Sequence, residues 1–584
     1  MPSAEAAATR TAATKTAASR SRHVAVATWM ASPGRTAVVV TASATPGGVA
    51  VARMDPDGEL GPPSWLPGTD GYRAVGWADE DVAVLRRGDG RATRLALVRI
   101  SDEAISHHQV IGRPVAARIR QSGGAEVLVA MIGPDGPLLC LYRPGSGSYQ
   151  PLAATAGTQS MACWLPDEHI IAVNVAGPAG PAVRLVGYDD HGSTEVPVAW
   201  PAGRRPVAAV GNGEMLGLTG VDDAGESVPG TMDLRTRAVR WFTASGGYST
   251  ADVDRSGTRL LAVIWEDHGY HYRVLDHTGT ETGHVEPATG LATDLCLTAD
   301  GHHVIGGFQS PSQPLSIMRW ELATGNPRPV ASWSAPTQPA AIRWQHRQVA
   351  EMPEWTFEPA AAGHGSVVVY LHGGPHIRLN QSYEPVIAAL VADGWTVLGL
   401  NYPGSAGYSA EYRDMTVGDW GGVDLDAVMS RVMALRAESP QRPICLYGSS
   451  YGAYLTLLAC AGAVPVDAAA VWAPITDLVR LLESATGTRR RWLESELGEL
   501  TREPGRLRER SPVHGRTTLA SVPLLIGHGV HDDRCPVDQS RTLVDLLGHV
   551  PTLRYLEDAH GSHMPSDWER WAGTVVDHLR RVAL

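Results

Sequence analysis

Across the first 330 residues, apolar stretches alternate with short polar turns at a nearly constant step. Thr258-Arg-Leu-Leu-Ala-Val-Ile264, for example, is followed across a polar turn by Tyr270-His-Tyr-Arg-Val-Leu275. Alternation of this kind between turn residues predicts antiparallel strands. Seven such units line up on their first turn at Gly34, Glu80, Gly124, Asp167, Gly213, Gly257 and Gly301, with steps of 46, 44, 43, 46, 44 and 44 residues. Each reads as an apolar strand, a polar turn, a second strand rich in Val, Ala, Leu and Ile, and a third strand ending in a Gly or Asp turn. A repeat of about 40 to 50 residues made of short strands predicts a β-propeller. The expected architecture is an all-β seven-bladed β-propeller over residues 23–345.

Beyond residue 345 the pattern changes. Short continuous apolar runs (Val367–Leu371, Ala468–Trp472, Leu524–Ile526, Leu553–Leu556) replace the repeat, and several lead into glycine-rich loops. The run Arg442–Tyr447 leads into Gly448-Ser449-Ser450-Tyr451-Gly452, after which Ala453 to Cys460 reads as a helix. This is a G-x-S-x-G nucleophile elbow between a strand and a helix. A serine on so tight a turn needs small neighbours, because side chains there would collide as its hydroxyl is pushed into a cleft. Ser450 is the candidate nucleophile, and an α/β-hydrolase domain with a doubly wound, mostly parallel sheet is expected over residues 346–584.

Such domains supply their partners in the order Ser, Asp or Glu, then His, each from the loop after a later strand. The strand at Leu524–Ile526 is followed by Gly527-His528-Gly529-Val530-His531-Asp532-Asp533-Arg534-Cys535-Pro536, and the strand at Leu553–Leu556 by Glu557-Asp558-Ala559-His560-Gly561. Asp532 is preferred to Asp533 for its place four residues before Pro536. His560 is preferred to His563 because Gly561 lets the backbone turn sharply after it. In the expected mechanism His560 takes the serine proton and returns it to the leaving group, while Asp532 holds the imidazole tautomer and stabilises its cation. One oxyanion donor is the Tyr451 N–H; the second is expected from the glycine turn His372-Gly373-Gly374-Pro375, at Gly374. His372 itself is read as structural.

Together these landmarks resemble the prolyl oligopeptidase family of serine peptidases, nearest its acylaminoacyl-peptidase branch. The resemblance covers about the last 230 residues. It rests on His372-Gly-Gly-Pro375, Asn401-Tyr402 with Gly404-Ser405-Ala406-Gly407-Tyr408, Trp420-Gly421 with Asp424, the Ser450 elbow, Ala473-Pro474 with Thr476-Asp477, Arg510-Ser511-Pro512, and the Asp532 and His560 loops. Pro403 departs from the Arg usual in the family and Ala453 from a second Gly, so the pocket's shape is left open. The resemblance implies a propeller that covers the active-site cleft and admits short or unfolded chains. It also implies an Arg that binds a substrate carbonyl in the segment Val479–Leu500; Arg490, placed relative to Trp492, is the candidate. Trp472, Tyr454 and Trp492 are candidate walls of an apolar pocket. A dipeptidyl-peptidase subtype would need a propeller carboxylate pair, for which Glu266-Asp267 and Asp222-Asp223 are the candidates.

Composition narrows the function further. The chain has 584 residues, 43% hydrophobic and 19% charged, enough for two large cores. No apolar run approaches the roughly 20 residues that span a bilayer. Residues 1–22, rich in Ala, Thr and Ser, lack the apolar core of a secretory signal and read as a disordered tail. Six scattered cysteines without a CxxC pair suit buried free thiols in a reducing cytoplasm. A formal charge of -12 argues against a nucleic-acid partner. Every basic residue except Lys15 is Arg or His, which excludes a Schiff-base lysine, a Walker A loop or a Ser-Lys dyad in the folded domains. No HExxH or comparable spacing suggests a metal, and no cofactor is expected.

The expected function is hydrolysis of amide bonds in short peptides, of aminopeptidase, acylaminoacyl-peptidase or oligopeptidase type, through an acyl-enzyme. The alternatives are an esterase, thioesterase or acyl-transferring peptide cyclase, which the same triad would serve, and a propeller scaffold with an inactive hydrolase domain. The resemblance leaves a homo-oligomer open.

Overall fold

The computed structural model describes residues 26–583, apart from stretches of at most five residues between positions 32 and 289, residues 330–340, and the single positions 463 and 549. The expected tail, the repeat positions Gly34, Glu80, Asp167 and Gly213, and the carboxylates Asp223 and Asp267 lie outside the described residues.

Residues 26–329 form seven four-stranded antiparallel sheets, each a meander of consecutive strands, so the chain is a seven-bladed propeller. Gly124, Gly257 and Gly301 fall between the first and second strands of their blades, as the repeat predicts. Gly257 and Gly301 have φ of 66° and 70°, a left-handed turn that glycine adopts without strain. Middle strands such as Met215–Asp222 are buried on both faces over most of their length, which explains their continuous apolar runs. The sequence reading counted three strands per unit, and the structure adds a fourth. Outer strands such as Ile105–Val110 and Glu281–Val285 are half-exposed and mostly polar, so no apolar alternation marks them.

Among the described residues no strand is shared between the first and seventh blades, and side chains close the ring. Val38, Ala50 and Met54 of the first blade pack with Cys296, Ile305 and Ile317 of the seventh. Arg319 pairs with Asp57 at 3.0 Å and Glu59 at 2.9 Å. Arg35 reaches Asp252 of the sixth blade at 2.7 Å, and the same carboxylate accepts the Leu297 N–H of the seventh. One buried pair therefore ties three blades.

The second region is an eight-stranded sheet ordered Ile342–Val349, Met352–Pro359, Thr396–Leu400, Val367–Leu371, Ile444–Ser449, Ala468–Trp472, Leu524–Gly529 and Leu553–Asp558. Its first two strands form an antiparallel hairpin, and from Thr396–Leu400 onward all neighbours are parallel. The strand Ile342–Val349 straddles the boundary expected at residue 346. Alternate side chains of the parallel strands feed two cores. Val367, Val369, Leu446, Val471 and Ile526 pack on one face, while Val368, Tyr370, Tyr447, Trp472 and Leu525 pack on the other. Helices on both faces account for the continuous apolar strands and leave the carboxyl ends of the strands to gather loops. Between the regions, the Tyr383 N–H donates to Gln309 at 3.1 Å, and the Arg378 guanidinium lies 5.8 Å from the centre of the Tyr270 ring.

All six cysteines are free and five are buried; burial pushes the Cys460 thiol up to about 12. Among the described residues no helix is long and apolar enough to cross a membrane.

Candidate active site

Ser450 sits between the strand Ile444–Ser449 and the helix Tyr451–Ala461 with φ 53° and ψ −114°. A non-glycine residue there is strained, and such strain persists only where the surroundings impose it. The Ser450 N–H is held by the Trp472 carbonyl at 2.8 Å, and the Ser450 carbonyl by the Tyr454 N–H at 3.0 Å. A Cβ on Gly448 would collide with the Gly452 carbonyl, and one on Gly452 with the carbonyls of Leu371 and His372. The two glycines of the motif are there for backbone contact.

Asp532 follows the strand Leu524–Gly529 and is 7% exposed. Its Oδ1 accepts the N–H groups of Arg534 and Cys535, both at 2.8 Å. Its Oδ2 lies 2.9 Å from His563 Nδ1 and 3.4 Å from His528 Nε2. Burial alone would raise this carboxyl, but the bonds from the two histidines and the backbone hold it well below the usual carboxylate range. Asp533, the competitor, is exposed.

The structure brings to Asp532 a histidine other than the one expected. Asp532 meets His563, whereas His560 is exposed and its N–H is bonded to Asp558. The reason lies in the turn. Asp558 Oδ1 accepts the N–H groups of His560 and Gly561, its Oδ2 accepts that of Ser566, and the Gly561 carbonyl accepts the His531 N–H. Those bonds wrap Ala559–Gly561 outward before the loop returns to Asp532, so the inward histidine comes three residues later. Trp472 ties the pieces together: its carbonyl holds the Ser450 N–H and its indole N–H donates to the His563 carbonyl at 3.0 Å.

The Tyr451 N–H opens the helix, where no intrahelical partner exists. Across from it stands the glycine turn. A Cβ on Gly373 would lie 3.6 Å from Ser450 Cβ, whereas one on Gly374 would meet the His376 and Ile377 backbone instead. Gly373 is the nearer neighbour of Ser450, and Gly374 follows it with φ 131°. Buried polar groups hold both sides. The Tyr451 hydroxyl donates to Asp424 at 2.5 Å, and the Tyr402 hydroxyl donates to the His372 carbonyl at 2.6 Å. Burial pushes the Asp424 carboxyl up to about 6 and the His372 imidazole down to about 4. His372 is structural, as its sequence context suggested.

The expected pocket residues separate. Trp472 and Tyr454 are 3% and 0% exposed, so they are scaffold rather than pocket wall. Trp472 belongs to a strand covered on both faces and packs on Trp571, and the Tyr454 hydroxyl donates to the Arg510 carbonyl. Trp492 is 41% exposed and stacks edge-on against Trp420, which in turn meets Tyr451. Arg490 is bound to Glu494 at 2.7 Å and to the Leu482 carbonyl at 2.8 Å. Its neighbour Arg489 reaches the Asp532 loop instead, donating to the Arg534 carbonyl. His528 lies against Asp532 and Ile377 beside Gly374, and His376 pairs with Glu496 at 2.8 Å. Their residue types alone carried no signal; the Gly-His-Gly run before Asp532 was the available hint.

Residues 381–583 match the family model described as the Prolyl oligopeptidase family. That match covers about the last third of the chain and marks what this region is similar to. Over 318 residues the chain is 27% identical to the uncharacterized peptidase YuxL of Bacillus subtilis (strain 168), covering 52% of this chain and 46% of that one. The chain thus spans less than half the length of that relative. The fold matches a puromycin-hydrolyzing peptidase of Mycobacterium tuberculosis with a TM-score of 0.72 at 18% identity, covering 96% and 98% of the two chains. It matches the Pyrococcus horikoshii acylaminoacyl peptidase with a TM-score of 0.67 at 14% identity, covering 96% of each. Both folds match along nearly the whole chain, the propeller and the α/β-hydrolase sheet together.

Proposed function

We propose that this chain is a serine peptidase that cuts amide bonds of short peptides through an acyl-enzyme on Ser450. The observation that carries the reading is a serine held at positive φ on a strand-to-helix turn and linked through Trp472 to the His563–Asp532 pair. Because His563 Nδ1–H is engaged by Asp532, the Nε2 lone pair is the base. It takes the Ser450 proton as Oγ attacks the scissile carbonyl, and Asp532 stabilises the imidazolium that forms. The Tyr451 N–H and the glycine turn at Gly373–Gly374 receive the oxyanion, where donors aimed at developing charge lower the barrier most. His563 then protonates the leaving amine, and water repeats the sequence on the acyl-enzyme.

Ile377 and Trp492, 52% and 41% exposed, flank this site and supply an apolar wall for a substrate side chain. The names of the relatives, a peptidase, a puromycin-hydrolyzing peptidase and an acylaminoacyl peptidase, favour amide over ester substrates. The propeller gates access in this reading. Its sixth and seventh blades touch Arg378 and Tyr383, on the segment that runs on from the glycine turn.

A fluorophosphonate probe tests the nucleophile. Labelling of the wild type that vanishes in Ser450→Ala supports the reading, and an unlabelled wild type overturns it. Incubation with a mixed peptide library, followed by mass spectrometry, then reads bond preference and length limit. Ligated rather than hydrolysed products would replace hydrolysis by acyl transfer.

A further inference from the structure

Asp532 has a second histidine. His528 lies in the strand Leu524–Gly529, and its side chain is fully buried. Its Nε2 is 2.7 Å from the Cys535 carbonyl and its Nδ1 is 2.7 Å from Ser540 Oγ. A carbonyl only accepts, so Nε2 carries the hydrogen and Nδ1 is free to accept from the Ser540 hydroxyl. The tautomer is therefore set by its partners and differs in role from that of His563. The Nε2–H also faces Asp532 Oδ2 at 3.4 Å, the longer arm of a forked donor. That is the same oxygen that binds His563 Nδ1 at 2.9 Å.

We propose that His528 is a positioning residue for the triad: its Nε2–H fixes the Asp532 carboxylate and the Cys535 carbonyl together, so that Oδ2 stays aimed at His563. The two oxygens divide the work. Oδ1 is anchored by the Arg534 and Cys535 N–H groups, which set the carboxylate's position but leave it free to rotate about the bond to its Cβ. His528 restrains that rotation, because its Nε2–H also faces the second oxygen. It also anchors Cys535, whose N–H grips Oδ1. Through Nδ1 it reaches Ser540 on the helix Asp538–Leu547, which is a separate, structural contact. The inference rests on the Ser450–His563–Asp532 reading.

The two ring nitrogens allow the roles to be separated. His528→Gln returns an amide nitrogen to the ε position and keeps the Asp532 and Cys535 contacts. His528→Asn reaches only the δ position and keeps Ser540 alone. Ser540→Ala removes the Nδ1 contact and leaves Nε2 untouched. In fluorophosphonate labelling and in turnover of a cleaved peptide, His528→Asn is expected to lower the rate and kcat about tenfold or more, the scale of one hydrogen bond to a charged group, with KM unchanged. His528→Gln and Ser540→Ala are expected to stay within about threefold of wild type. Should His528→Asn fail to fold, His528→Met takes its place with the same expectation. Wild-type rates in the folded Asn or Met variant, or equal losses in the Gln and Asn variants, overturn the proposal. Ser450→Ala and His563→Ala run alongside distinguish the two failures. If both abolish labelling while His528→Asn does not, His528 alone is misassigned; if neither does, the triad reading itself falls.

Discussion

The closing seam of the propeller and the hydrolase sheet use buried charge at different kinds of junction. In the propeller, Arg35 and Asp252 keep side-chain exposures of 8% and 13% and act at a seam, joining three blades that share no strand. In the hydrolase, Glu354 is wholly buried and takes Arg347 at 2.7 Å and Arg431 at 2.6 Å, pinning the sheet to the helix Val423–Glu438. The difference follows from topology. Antiparallel meanders complete each blade locally, and side chains join one blade to the next as well as closing the ring. Parallel strands need crossovers that bring remote residues to one edge, and the same arrangement gathers the catalytic loops. Damage to the propeller should therefore change what reaches the site, and damage to the hydrolase should change the site itself.

The largest expected effect is on the hydrolase side of that comparison. Asp532→Asn should lower turnover roughly 10³-fold or more with little change in melting temperature, because it leaves the fold but reverses the tautomer preference of His563. Next comes stability. Glu354→Ala strands a buried Arg431 and should cost about 3–5 kcal/mol in denaturant unfolding, with loss of probe labelling. Asp252→Ala strands the equally buried Arg35 and should cost a similar amount, about 3–5 kcal/mol, but leave labelling intact, since the loss falls at the propeller seam. Equal losses of labelling in the two variants would break the comparison.

The pH response comes third. Burial holds His372 near 4 against an ordinary 6.5, so the folded chain refuses a proton that the unfolded chain accepts. Stability from the neutral ring is complete above about 6.5 and is lost as pH falls toward 4, by at most ~1.4 kcal/mol per unit. Thermal melts between pH 7 and 4 should show a shallower decline in His372→Asn. The smallest effect is at the contact between the regions. Arg378→Ala removes the stacking on Tyr270 and should raise cleavage of longer peptides about threefold, the scale of one exposed cation–π contact.

Much of this was legible in the sequence. The propeller was visible because its middle strands are buried on both faces and its turns need Gly or Asp at a fixed step. The fourth strands were not, since half-exposed edges carry no apolar alternation. Ser450 was legible because the collisions at Gly448 and Gly452 leave few residue choices, and Asp532 because it follows a buried strand. The meeting of His563 with Asp532 was not legible, because the Asp558 turn, which faces His560 outward, depends on hydrogen bonds to Gly561 and Ser566 that no local pattern announces. Trp472 and Tyr454 were misread as pocket walls because an aromatic residue near a site looks the same in sequence whether it packs or binds.

The most direct test of the account compares two single substitutions in one loop. His563→Ala and His560→Ala are each purified, checked for folding by circular dichroism, and assayed for the rate of fluorophosphonate labelling at Ser450. The account predicts that His563→Ala labels at least about 10³-fold more slowly than wild type, while His560→Ala labels within about twofold of it. Normal labelling of His563→Ala, with loss in His560→Ala, would contradict it.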